Sequence, residues 1–433
     1  MTFCNTRRSL LEAVSTICLR TLLIFLALAL ESAFSQEFRH EFGGHAKIRF
    51  LGQAYPDDSL FRDLAGASSE DLEADLRLDF SANRGAWSFD AAYQLFTLYG
   101  DSIKYTRDLT TSLLVERLPG DDRRLFDLTD VIRDEGRTAV VHRLDRLGLG
   151  YTSEKTVLRM GRQALSWGNG LFYSPMDLVN PFDPAAIDTE FKSGDDMLYV
   201  QYLRDNGDDL QAAVVLGRNP VSRGVDSDQA TTAFKYHGFA GESEYDVLIA
   251  ESHGDTTLGV GGIRSLGGAV VRGDIVVTDT RIDTHLQLVA NLSYSWVWAG
   301  KNISGAVEYY YNGFGQQDQQ YDVANLAGNP DLVNRLARAE LFALGRHYVA
   351  GSITIEMSPL FVLSPTVLAN TGDPSALLQF VTQYSLSDNM TFLGSVNIPL
   401  GSDGSEFGGI GSDTPGRYLS TSATLFAQFA WYF

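Results

Sequence analysis

Residues 71–81 read DLEADLRLDFS, an alternation without a break: Leu72, Ala74, Leu76, Leu78 and Phe80 on one side, Glu73, Asp75, Arg77, Asp79 and Ser81 on the other. Successive side chains of a strand point to opposite faces, so this segment has one face for hydrocarbon and one for water. The pattern recurs. Trp87, Phe89, Ala91, Tyr93 and Leu95 oppose Ser88, Asp90 and Gln94; Leu286, Leu288, Ala290, Leu292, Tyr294, Trp296 and Trp298 oppose Gln287, Asn291, Ser293 and Ser295. Ile303, Gly305, Val307, Tyr309 and Tyr311 oppose Ser304, Glu308 and Asn312. A chain with 25 Phe, 19 Tyr, 5 Trp and 41 Gly in many such segments is all-β. Alternation alone leaves two architectures: a soluble sheet with its apolar face inside, or a membrane barrel with that face in lipid.

The connections decide between them. Counting from residue 45, short connections fall near 83–86, 153–155, 206–209, 241–243, 265–268, 300–302, 357–360 and 387–389. Between them fall the others, near 55–70, 100–137, 166–194, 219–229, 253–256, 279–284, 313–345, 370–375 and 401–417, and every long connection is in this second set. Tight turns at one end and long loops at the other are the signature of a transmembrane antiparallel β-barrel. Eight turns and nine loops give 18 strands, with both termini on the short-turn side; 16 remain possible, because the loops near 253 and 279 are short.

The N-terminus fits that setting. Arg7, Arg8 and Arg20 surround the apolar run TLLIFLALAL, and small residues precede Gln36, as in a secretory signal peptide cleaved after Ser35. Ten apolar residues are too few for a membrane-spanning helix, which needs about 20. Both cysteines, Cys4 and Cys18, leave with residues 1–35, so the barrel proper, 36–433, has no disulfide and no thiolate metal site. A net charge of −20 argues against nucleic acid or an anionic surface as partner.

At the other end, Leu425, Ala427, Phe429, Trp431 and Phe433 share a face and the chain stops on an aromatic. In this the chain resembles bacterial outer-membrane β-barrels. The resemblance implies that Phe429, Trp431 and Phe433 form the signal read by the barrel-assembly machinery, and that the partners are outer-membrane lipid and small polar solutes. The segment GRQ…WG…NPFDP, within residues 161–196, is similar to a group of porin-like outer-membrane proteins of Gram-negative bacteria, which implies no settled substrate.

The connection 166–194 carries Pro175, Pro181 and Pro184 among aromatics and acids. It is the third on the outer side, and in porins the third outer loop folds inward and narrows the pore. The positional match implies that role for Trp167, Tyr173, Asp177, Asp183, Asp188, Glu190 and Lys192, with Arg146 and Arg159 on the facing wall. Other charges expected in the lumen are Lys47, Arg49, Glu73, Asp75, Arg77, Asp79, Asp90, Lys235, Asp246, Arg272, Asp274, Glu308 and Glu356, of mixed sign. His142 and His237 are the histidines expected near it. Arg162 shares parity with lipid-facing Leu158 and Met160, which calls for a bulge or a place above the membrane. Helices are expected over 124–135, ended by Gly136, and after the N-cap Asn329, ended by Gly345. Pro365 marks a bulge or a misplaced strand.

Other signals point nowhere. The glycines of GVGGIRSLGG, from Gly259, lie in an alternating strand with no helix after it, so they ease barrel curvature and cradle no phosphate. No histidine has a metal-ligand spacing and no serine a nucleophile signature, so no cofactor, metal or enzymatic activity is expected. Asp403, Glu406 and Asp413 leave calcium as a minor alternative. The expected function is passive diffusion of small hydrophilic solutes through a constricted lumen. The alternatives are a gated export or uptake barrel working with periplasmic partners, and a structural or adhesive surface barrel.

Overall fold

The computed structural model describes residues 38–109 and 118–433; the expected signal peptide, 1–35, lies outside them. Eighteen antiparallel strands form one closed barrel: the first, Phe38–Ala54, pairs with the second, Ser68–Arg84, on one edge and with the last, Ala423–Tyr432, on the other. The seam runs from His45 opposite Tyr432 to Ala54 opposite Ala423, and Gly44 and Phe433 exchange two further backbone hydrogen bonds at 3.0 and 3.1 Å. Closure pairs the strand edges with each other, which a sheet in lipid requires.

Every expected short and long connection is present, in the expected order. The first strand begins at Phe38, seven residues before the position from which the strands were counted. Two-residue turns at 267–268 and 299–300 take positive φ at both positions (55° and 93°; 50° and 74°), the twist that suits a tight hairpin. Polarity is inverted relative to a soluble protein. Ile48 and Phe429 are 57% and 51% exposed, whereas Lys47, Asp75 and Glu308 are 1–2% exposed. A rim of Phe42, Tyr294, Trp296, Trp298, Trp431 and Phe433 lies near the short-turn end, where aromatic rings meet the membrane interface.

Four local expectations are corrected. Residues 124–135 hold no helix: Thr129–Glu135 is a strand, carrying β-branched Thr129, Val131 and Ile132, that turns at Gly136 (φ +60°) and pairs with the outer half of the barrel strand Thr138–Thr152. The helix after Asn329 is shorter than expected. It spans Pro330–Ala337, capped by Asn329 accepting from the Leu332 N–H, and stops well before Gly345 at Arg338 and Ala339 (φ +53°). Pro365 sits in the strand Phe361–Asn370; lacking an N–H, it interrupts the ladder toward His347–Ser358, whose register is the same on either side of it and shifts only farther on, between Glu356 and Ser358. His142 faces away from the lumen, against Tyr93 at 5.9 Å and Asp130 at 3.7 Å.

Candidate functional site

The connection after the fifth barrel strand, Thr156–Gln163, turns into the barrel and touches the wall on nearly every side. The wall's carboxylates hold its backbone. Glu308 accepts hydrogen bonds from the N–H groups of Leu171, Phe172 and Tyr173 at 2.6, 3.1 and 2.7 Å; Asp274 accepts from Asn169 N and Nδ2 at 2.7 and 2.6 Å, and Asp246 from Asn169 Nδ2 at 3.2 Å. A run of backbone N–H groups at a turn has nothing else to donate to, and a buried carboxylate needs donors, so each satisfies the other. Asn291 Nδ2 closes the set on Asn169 O (3.0 Å) and Glu308 (3.1 Å).

Apolar side chains finish the attachment. Leu165, Trp167, Met176 and Val179 pack on Met197, Tyr199, Ala213, Leu248 and Val276 of the wall. Trp167 donates its indole N–H to Gln211 at 2.7 Å. Tyr173 stacks on Tyr310 at 4.6 Å with planes 10° apart, within a second cluster that joins Phe314, Leu332, Leu344 and Ile410 of the outer loops to strand residues Tyr348 and Leu368. Wall glycines make room for this half of the loop. A Cβ on Gly261 would lie 2.1 Å from Asp274 Oδ1 and 2.6 Å from Asn169 Nδ2, and one on Gly259 would lie 3.1 Å from Met176 Cε. Close approach of the loop accounts for these glycines, where curvature was the expectation.

The charged residues of the loop have other partners than those expected. Asp177 and Lys192 do not face wall bases; they pair with each other at 2.6 Å, buried, with Lys192 also donating to Ser166 Oγ and the Leu165 carbonyl. Asp188 and Glu190 meet Lys47, each at 2.7 Å, and Asp188 also meets Arg49 at 3.1 Å. Asp183 is exposed, its carboxylate accepting the Ala185 N–H at 2.8 Å. Arg146 donates to the Lys192 carbonyl and to Asp145; Arg159 lies 4.6 Å over the Tyr199 ring.

The remaining lumen charges are mostly paired: Arg49 with Glu73, Arg77 with Asp79 on its own strand and with Asp145 on another, and Lys235 with Asp246 at 3.0 Å, while Asp75 is shared by His45, Arg49 and Gln94. Arg272 donates to Ser293 Oγ at 2.9 Å. His237 does lie at the lumen, bonded to Asp246 at 2.9 Å. Arg162 is buried at the outer end of its strand, beneath residues 121–128. It donates to Asp196 and Asp121, each at 2.9 Å, and to the Phe126 carbonyl at 2.8 Å. Glu406 is occupied by protein donors, the Leu344 N–H, the Tyr348 hydroxyl and Asn370 Nδ2. Among the described residues no three His, Cys, Asp or Glu gather as metal ligands.

With the first half of the loop seated against the strands from 195 to 370, open space remains toward the short-turn half of the first five. A cavity of about 640 Å³ lies there, with Glu41, Asp79, Asp90, Arg146 and Arg159 on its walls and Gln163 and Ala164 at the root of the loop. Sequence reasoning missed Asn169, Gln211 and Gln379, which hold the loop, and the pairing of Lys47 and Arg49 with it; the signal in reach was the glycine pair 259 and 261 opposite the loop.

No family model matches the sequence, and no curated protein is detectably similar to it. Solved structures share its fold. OccAB1 of Acinetobacter baumannii superposes with a TM-score of 0.52 at 8% identity, covering 91% of this chain and 96% of that one. OccK5 (OpdH) of Pseudomonas aeruginosa gives 0.50 at 9%, covering 91% and 97%, and OccAB4 of Acinetobacter baumannii gives 0.50 at 7%, covering 92% and 99%. What they share with it is the architecture, a closed antiparallel β-barrel, here of 18 strands.

Proposed function

We propose that the chain is an outer-membrane channel through which small hydrophilic solutes diffuse, narrowed by the loop spanning 166–194. The observation that carries this is the pairing of an apolar exterior with a charged interior that keeps a cavity of about 640 Å³, bounded at one end by Gln163 and Ala164 at the root of the inserted loop. A cavity of that size suits a small solute, and walls carrying both signs of charge favour polar ones. Nothing in this role requires a cofactor. Phe429 and Trp431 face outward and Phe433 closes the seam against Gly44, which supports their reading as the assembly signal. The same inserted loop supports the gated alternative, because its second half is held to the wall mainly by polar contacts and buries none of its residues.

Planar-bilayer recording of the purified, refolded protein tests the channel. Discrete conductance steps are expected, larger and less selective when residues 181–191 are replaced by a short glycine linker. Deleting the whole of 169–190 is the poorer test, since it also removes Tyr173, Met176 and Val179 from the packed clusters. A heat-modifiable, folded barrel that passes no current with either loop would overturn the reading.

A further inference from the structure

The inserted loop consists of two unlike halves. Residues 165–179 place Leu165, Trp167, Tyr173, Met176 and Val179 in buried packing. From Asn180 to Phe191 no residue is buried. The ends of this second half are held together: Asp177 pairs with Lys192, and Asn180, at φ +48°, reaches the Ser193 carbonyl at 3.4 Å. A segment with its ends joined, few apolar contacts and a non-glycine residue at positive φ at its root is built as a flap.

The flap's far side is attached to the wall by polar contacts. Lys47 takes Asp188 and Glu190, Arg49 takes Asp188, the Tyr432 hydroxyl donates to Glu190 at 2.8 Å, and Gln379 holds the Ala185 carbonyl at 2.9 Å. Phe191 lies between the Arg77 guanidinium, at 4.4 Å, and the His45 ring, at 5.2 Å, and His45 is 1% exposed. Across the seam, Ala430, opposite Lys47, is 2% exposed.

We propose that residues 181–191 form an ionically latched gate: Asp188 and Glu190 occupy the base pair Lys47 and Arg49, and the channel widens when that latch lets go. Lys47 is nearly enclosed while its two acids reach solvent, so lifting the flap returns the acids to water and uncovers His45. The consequence for transport rests on the channel reading; the motion itself does not.

Residues 36–433 contain no cysteine, so an introduced thiol reports alone. His45→Cys, and separately the milder Ala430→Cys, would be reconstituted as the chain 36–433 in lipid vesicles and labelled with N-ethylmaleimide, which is uncharged. Slow labelling is expected at 0.1 M KCl, severalfold faster at 1 M, where ion pairs that reach solvent are screened. Adding Asp188→Asn with Glu190→Gln should raise the rate at 0.1 M about tenfold and abolish the salt dependence. Equal rates for both thiols across salt and latch variants would show a static constriction and overturn the gate. Responsive labelling in a protein that passes no current would instead keep the flap and sink the channel.

Discussion

Arg162 shows how much one side chain can commit a barrel end to a single arrangement. Its guanidinium serves Asp196 through two nitrogens and Asp121 through a third, and all three charges are buried. Burial alone would push the Asp121 carboxyl up, but hydrogen bonds from Arg124 and Arg162 hold it at about 2. Removing the arginine leaves Asp196 without its charged partner and Asp121 with Arg124 alone, which costs about 3–5 kcal/mol. Arg162→Ala should therefore lower stability by that much in urea titrations followed by tryptophan fluorescence. Arg162→Lys should recover little of it, since an ammonium cannot reproduce the forked geometry. A lysine variant within about 1 kcal/mol of the parent would show that charge alone suffices there. Strand parity put Arg162 on the lipid side, correctly as far as parity goes. What parity does not carry is the twist at Gly161, with φ +116°, or the cover supplied by residues 121–128, which come from a different loop.

Among the elements, the wall strands were legible and the loop's seat was not. Alternation is a local property, and all eight turns and nine loops follow from it. The partners of the inserted loop are long-range, with Glu308 lying 135–137 positions from the N–H groups it accepts. In the sequence that glutamate looks the same as a solvated wall charge. The segment 124–135 misled for a related reason: its spacing of apolar residues fits a helix, but the outer half of Thr138–Thr152 offers it an edge to pair with, and pairing wins. Glycines 259 and 261 give this scale its test. Gly261→Val puts a branched side chain where Asp274 and Asn169 already sit, so either the loop lifts or the strand strains, at about 1–3 kcal/mol. If the loop is what yields, conductance should rise in planar bilayers while the folded barrel persists on unheated gels. Gly259→Ala, 3.1 Å from a flexible methionine end, should do far less. A larger effect from the alanine would mean that the glycines serve strand curvature after all.

At the scale of the whole molecule, the packed core lies inside the barrel and across its outer mouth, with lipid taking the place of solvent on the apolar side. The outer half of that core joins the loops 313–346 and 401–422 to the ends of the strands His347–Ser358 and Phe361–Asn370, and Glu406 sits at their junction. Burial pushes its carboxyl up to about 7, against the opposing pull of the Leu344 N–H, the Tyr348 hydroxyl and Asn370. A carboxyl raised in the folded state stabilises that state fully below its unfolded value, about 4.3 for a glutamate, and the contribution is lost as pH rises through the folded value. The shift corresponds to a contribution on the order of 3 kcal/mol, shared among the elements that meet at Glu406. The cap over the mouth should thus be tightest in mildly acidic medium and loosen between about pH 5 and 7.5. Hydrogen exchange of residues 341–346 and 403–409, corrected for the intrinsic pH dependence, should show protection falling across that window. Glu406→Gln keeps one acceptor and cannot ionise, so its protection should be level in pH. If the glutamine variant keeps the same slope, the pH response belongs to another group and the junction is held by packing alone.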